Sequence, residues 1–146
     1  GCYVTHDHGF YQRLVGVAKQ RCACSDGLLA AMEVWATVQS RPEPGLAILA
    51  VGKRDISYDM ALPVPIAQAA RGAMSTVPVP ASWQITGLND QHAYLRWDAA
   101  DEVTAPCVGD RVGLGISHPC TTFDKWHWMP LVENDYRVSD AVAMHF

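Results

Sequence analysis

Apolar and polar side chains alternate at every second residue through "EVWATVQS", residues 33–40, which marks a strand with one buried face. The same alternation flanks Asn89-Asp90 in "WQITGLNDQHAYLRW" and predicts a hairpin. A strand is read from about Met32 onward, although "LLAAMEV" ahead of it also has helical propensity. The Arg41-Pro42-Glu43-Pro44-Gly45 stretch reads as a turn by composition, and Leu46 to Val51 as a buried strand paired back through a longer loop. Val112 to Ile116, Trp128 to Val132 and Arg137 to Ala143 add three more predicted strands. Ser57 to Pro80 carries four prolines without a sustained period and reads as a long surface excursion.

One helix is predicted, over about Phe10 to Arg21, with Phe10, Leu14, Val17 and Ala18 on one face and Asp7 as its cap. Short strands separated by proline and glycine turns predict a mainly β fold. The expectation is a β-sandwich or barrel-like domain with a short N-terminal helix, spanning 1–146 as one unit.

Composition narrows the function classes. The 146 residues are 49% hydrophobic and 18% charged, outside the disordered range. No apolar run approaches the roughly 18–20 residues of a spanning helix, so a soluble chain is expected, with no membrane partner. Net charge is −4, and the 11 basic residues are scattered apart from Lys53-Arg54, so no nucleic-acid partner is expected. Gly1 opens the chain without a methionine or a signal-like run, and the chain reads as an excised piece of a longer one. Five cysteines at irregular spacing favour a reducing, cytoplasmic setting over a disulfide framework. Cys22-Ala23-Cys24 lacks a second ligand pair and reads as ordinary thiols.

The candidate chemistry lies in "SHPCTTFDKW", residues 117–126. Imidazole and thiolate are zinc's preferred donors. In an extended segment, His118 and Cys120 would project to one side, with Pro119 stiffening the arrangement. Two ligands do not complete a tetrahedron, and a surface histidine beside a buried cysteine is the plain alternative. A Cys120 nucleophile with His118 or His127 as base is a third reading, made awkward by the two-residue spacing. Thr121, Thr122 and Asp124 follow as candidates to orient the ligands through hydrogen bonds, or simply as turn residues. Trp126 and Trp128 are expected to fill a core or an interface. His6, His8 and His127 are expected in solvent.

"VGDRVGLGISHPCTTFDKWHWMPLVENDYRV", with "GKRDISYD" upstream and "GCYVTHDHGFY" at the start, resembles the C-terminal β-domain of fold-type III pyridoxal-phosphate enzymes, the D-serine dehydratase and D-threonine aldolase group. Gly109 to Asp124 is the most specific part, and Gly52, Lys53, Ser57 and Asp59 resemble a second family signature. The resemblance implies an alanine-racemase-C-terminal-like fold and a divalent metal, zinc in the dehydratases, held by His118 and Cys120. It also implies pyridoxal phosphate on an N-terminal barrel domain that this chain lacks. A small D-amino acid would then be the substrate, and Cys120 tilts the expectation towards dehydration. Aldolase-type cleavage and a non-catalytic β interaction module are the alternatives. Tyr3 and Asp7 match a further family element without an assigned role. A face made to meet the absent barrel would self-associate, so a homo-oligomer is expected.

Overall fold

The computed structural model describes residues 2–22 and 27–145, with backbone alone for residues 2, 3 and 22. A helical turn, α1 (Cys2–Thr5), precedes α2 (Phe10–Cys22). The strands are β1 (Glu33–Glu43), β2 (Leu46–Leu49), β3 (Val64–Ala69), β4 (Val77–Pro78), β5 (Gln84–Leu88), β6 (Ala93–Arg96), β7 (Arg111–Gly115), β8 (Trp128–Val132) and β9 (Val138–Ala143). A 3-10 turn covers Ala99–Thr104, and α3 covers Pro119–Phe123. The first seven strands form one antiparallel sheet in the order β4-β3-β7-β1-β2-β6-β5. It curls until β3 meets β5, which gives the barrel-like, mainly β fold expected.

Alternation along β1 buries Val34, Ala36 and Val38 against Leu49, Leu95 and Leu114, while Glu33, Trp35 and Thr37 face outward. Trp83 and Trp97, which bracket the predicted hairpin, close one side of this core with their rings 5.9 Å apart. The β1–β2 connection is tighter than expected. Strand β1 runs to Glu43, and Pro44-Gly45 alone makes the turn, with Gly45 at φ 74, where glycine lacks the Cβ penalty.

The surface excursion expected over Ser57 to Pro80 is corrected. It contains β3, which pairs with β7 along its length, and β4. The ladder accommodates Pro65 by a register break between Pro65 and Ala67.

On the outer face of β7 two glycines leave room for rings. A Cβ on Gly113 would lie 2.8 Å from the Trp35 ring, and one on Gly115 would lie 2.3 Å from His8 Cγ. The β8–β9 ribbon forms a sheet of its own. Met129 packs against the main core, and Tyr136, in the turn between the two strands, donates its hydroxyl to Glu33 Oε2 at 2.9 Å. The Tyr136 ring meets Trp35 edge-on at 5.2 Å. Its backbone is left-handed, φ 61, a conformation uncommon for a bulky residue.

Helix α2 begins where Asp7 predicts it. The buried Asp7 carboxylate accepts the N–H groups of Gly9 at 2.7 Å and Tyr11 at 3.1 Å, supplying partners that the first turn otherwise lacks. The apolar face of α2 is open: Phe10, Leu14 and Val17 are exposed. Among the described residues no helix is long and apolar enough to cross a membrane.

Candidate metal centre

Strand β7 delivers the chain to the site. Ile116 and Ser117 are buried at its end, and His118 keeps extended backbone, φ −149 and ψ 99, as the residue preceding α3. Pro119 then opens the helix, where its fixed φ fits and its missing N–H costs nothing. The single extended segment expected for His118 and Cys120 is therefore corrected: the backbone turns helical directly after His118. Cys120 sits in the first turn of α3 and is exposed. Alternation of side chains along a strand does not govern this pair.

A second segment, residues 52–61, lies against the first. Its start is pinned to the β5–β6 turn, with Lys53 N–H on Asn89 O at 2.9 Å and Arg54 N–H on Asp90 O at 3.1 Å. Gly52 is required there, because a Cβ would fall 2.4 Å from the Asp90 backbone. Asp55 closes the turn by accepting the Gly52 N–H at 2.8 Å. Trp126, just beyond α3, donates its indole N–H to Asp55 O at 2.8 Å.

The two segments are laced together. The Ser57 N–H is accepted by Thr122 Oγ1 at 3.1 Å, and Ser57 Oγ accepts the His118 N–H at 3.2 Å. Ser117 Oγ donates to Ala61 O at 2.7 Å. Two residues along from Ser57, Asp59 turns its carboxylate to the imidazole: Oδ2 lies 2.5 Å from His118 Nδ1, and Oδ1 accepts the Thr121 hydroxyl at 2.9 Å. Thr121 Oγ1 also lies 3.3 Å from His118 O, but one hydroxyl proton serves the shorter bond. Burial pushes the Asp59 carboxyl up, yet the hydrogen bonds from His118, Thr121 and its own backbone outweigh burial and hold it below its ordinary value. With Nδ1 turned to Asp59, Nε2 is the imidazole nitrogen presented to a ligand.

Among the described residues, no three His, Cys, Asp or Glu side chains gather as a metal cage.

Other candidates divide. Thr121 and Thr122 join the lacing, but the Asp124 carboxylate pairs with Lys125 Nζ at 3.8 Å, and the Asp124 N–H bonds to Cys120 O at 3.2 Å. Trp126 and Trp128 are 41% and 60% exposed and fill no core in this chain. His127 is exposed. The solvent placement expected of His6 and His8 is corrected: His6 is buried, with its ring 5.2 Å from Tyr11, and His8 is half-buried against Gly115. Ala23, Cys24 and the side chains of Cys22 and Tyr3 fall outside the described residues. Sequence reasoning placed Asp59 in a motif without a role. Its partner is 59 positions away, and no local pattern links the two.

The sequence model of the family described as "Putative serine dehydratase domain" matches residues 31–132. No curated protein matches the chain. Among solved structures, the fold resembles D-threonine aldolase from Filomicrobium marinum, with TM-score 0.67, 21% identity, and coverage of 82% of this chain and 29% of that one. It also resembles D-threo-3-hydroxyaspartate dehydratase from Delftia sp. HT23, with TM-score 0.59, 22% identity, and coverage of 80% and 33%. A cysteine-to-alanine variant of a D-threo-3-hydroxyaspartate dehydratase, in the metal-free form, aligns with TM-score 0.58, 21% identity, and coverage of 80% and 33%. A histidine-to-alanine variant, substituted two positions ahead of that cysteine, aligns equally well, with coverage of 80% and 32%. The chain thus spans about a third of the length of the solved chains it matches.

Proposed function

Since the chain belongs to the serine dehydratase domain family, we propose that it is the metal-holding β-domain of a pyridoxal-phosphate-dependent lyase. The substrate class is D-serine or a similar 3-hydroxy-D-amino acid, from which water is eliminated and ammonia is then released as water adds back. The observation that carries this reading is the Asp59–His118 contact at 2.5 Å, which leaves Nε2 as donor two residues from the exposed Cys120 thiol. The donor set fits a divalent cation, and an imidazole with a thiolate favours zinc. The paired histidine and cysteine substitutions in the dehydratase structures, also two positions apart, support the same assignment.

When bound, the metal supplies a Lewis acid that eases departure of a β-hydroxyl. The chain's own residues hold and aim the ligands. Ser57 and Thr122 fix the backbone on either side of His118, Asp59 and Thr121 fix its ring, and Trp126 ties the end of α3 to the segment bearing Asp59.

The chain's lysines do not fit a pyridoxal-phosphate site. Lys53 lies over the Tyr58 ring at 5.5 Å, Lys125 pairs with Asp124, and Lys19 lies on α2. We assign the cofactor, its lysine and most of the substrate contacts to an N-terminal barrel in the longer protein, whose docking would also cover the open apolar face of α2. Aldolase-type cleavage is the second reading, since a D-threonine aldolase shares the fold.

The test is metal uptake. The full chain should bind one Co²⁺ with the thiolate-to-metal absorption of a cysteine ligand, and His118→Ala and Cys120→Ala should each abolish that band. Uptake unchanged in both variants would overturn the reading. Joined to its barrel, the protein should release pyruvate and ammonia from D-serine, and release of glycine and an aldehyde from a 3-hydroxy-D-amino acid would select the aldolase reading instead.

A further inference from the structure

Resting on that metal reading, we propose that Asp59 is the positioning residue of His118: its carboxylate fixes the imidazole as the Nδ1–H tautomer and so presents Nε2 as the metal donor. A neutral histidine free in water prefers to carry its proton on Nε2, which would leave Nδ1, the nitrogen nearer the backbone, as the donor. The 2.5 Å contact from His118 Nδ1 to Asp59 Oδ2 reverses that preference, because a carboxylate offers only acceptors and so requires the proton on the nitrogen facing it.

The carboxylate cannot simply rotate away. Thr121 donates to its other oxygen at 2.9 Å, so both oxygens are engaged by residues flanking the first turn of α3. The His118 backbone is equally confined, since its N–H is accepted by Ser57 Oγ and its carbonyl receives the Thr122 hydroxyl at 3.4 Å. Ser57 and Asp59, two positions apart on one segment, thus divide the work: Ser57 holds the backbone of His118, and Asp59 its ring. The pair is only partly shielded, with side chains 28% and 42% exposed. Water competes for each bond, and the second contact from Thr121 keeps the arrangement in place.

The tautomer belongs to the metal-free chain and can be read without activity. Proton–nitrogen correlation spectra of the full chain, at a pH where imidazole is neutral, should show His118 protonated at Nδ1 and bare at Nε2, with the signals assigned through His118→Gln. In Asp59→Ala the proton should move to Nε2, and Co²⁺ affinity should fall by about 10- to 100-fold, as for lost outer-shell partners of metal-bound histidines. Thr121→Val should weaken affinity in the same direction but less, and Asp59→Glu should restore the Nδ1–H tautomer. Asp59 is surface-exposed, so these variants should fold.

An Nε2–H tautomer in the unsubstituted chain would overturn the inference, as would Asp59→Ala with unchanged tautomer and affinity. If the tautomer moves with Asp59 while the chain takes up no Co²⁺, the metal reading falls and the control of the ring by Asp59 stands. If Co²⁺ uptake depends on His118 and Cys120 but not on Asp59, the metal reading stands and the inference falls.

Discussion

Thr122 Oγ1 accepts the backbone N–H of Ser57 at 3.1 Å, across 65 positions of sequence, between two residues with no solvent exposure. Thr122→Val keeps the shape but leaves that N–H buried without a partner, a loss of about 1–3 kcal/mol. The midpoint of denaturant unfolding should fall accordingly, while Thr122→Ser, which keeps the hydroxyl, should lose less. An unmoved midpoint in the valine variant would mean that the bond contributes nothing.

Gly52→Ala tests the other end of the same segment. The added methyl meets backbone rather than a movable side chain, at 2.4 Å from Asp90, so either the β5–β6 turn or the 52–61 segment must shift. Overpacking of this kind costs about 1–3 kcal/mol. Amides of residues 53–57 should exchange faster in the variant, since the bonds from Lys53 and Arg54 to the turn depend on that close approach.

Tyr136 should titrate late. Burial, then the hydrogen bond and the negative charge of Glu33, push its hydroxyl up to about 12. The folded state thus favours the neutral phenol. Its contribution to stability is complete below the ordinary tyrosine value near about 10 and is lost as pH rises through about 12. In a tyrosinate absorbance titration one of the five tyrosines should lag the rest, and Tyr136→Phe should remove the lag. Simultaneous titration of all five would show that the Glu33 contact is not held in solution.

His8 carries the opposite sign. Burial lowers its pKa, and the carboxylates of Glu33 and Asp7 raise it by less. The folded chain therefore favours neutral imidazole, and the associated stability is present above about 6.5 and lost as pH falls through the depressed folded value. His8→Gln should flatten the acid limb of the stability profile, provided that the ring seen against Gly115 is the group responsible. An unchanged acid limb would assign it elsewhere.

The strands that rest on local alternation, β1, β5, β6 and β7, were legible in the sequence because one wet and one dry face impose a period of two. Strand β3 was hidden by Pro65. Proline argues against a strand interior, and only the register break at Pro65/Ala67 admits it. Helix α3 was concealed by its five-residue length and by a proline that stiffens an extended chain as readily as it opens a helix. His118 and Cys120 stood out by residue type and spacing. The partner of His118 did not, because the contact with Asp59 exists only after β7 has been drawn against its neighbours. His8 read as solvated because, although glycine alternates along β7, nothing in the sequence shows that the N-terminal segment packs onto that face, and His6 because its ring partner, Tyr11, lies on a helix formed only once Asp7 caps it.

The strand order β4-β3-β7-β1-β2-β6-β5 also dictates a sequence of events during synthesis. Both neighbours of β7 leave the ribosome well before it does, and until residues 111–115 emerge, β1 and β3 each present an unpaired edge. Arrival of this late strand zips the two halves of the sheet together and, in the same movement, carries His118 to the waiting Asp59. A ribosome-stalled chain ending short of Arg111 should consequently be prone to edge-to-edge association, and it would have no means of assembling the ligand-bearing turn.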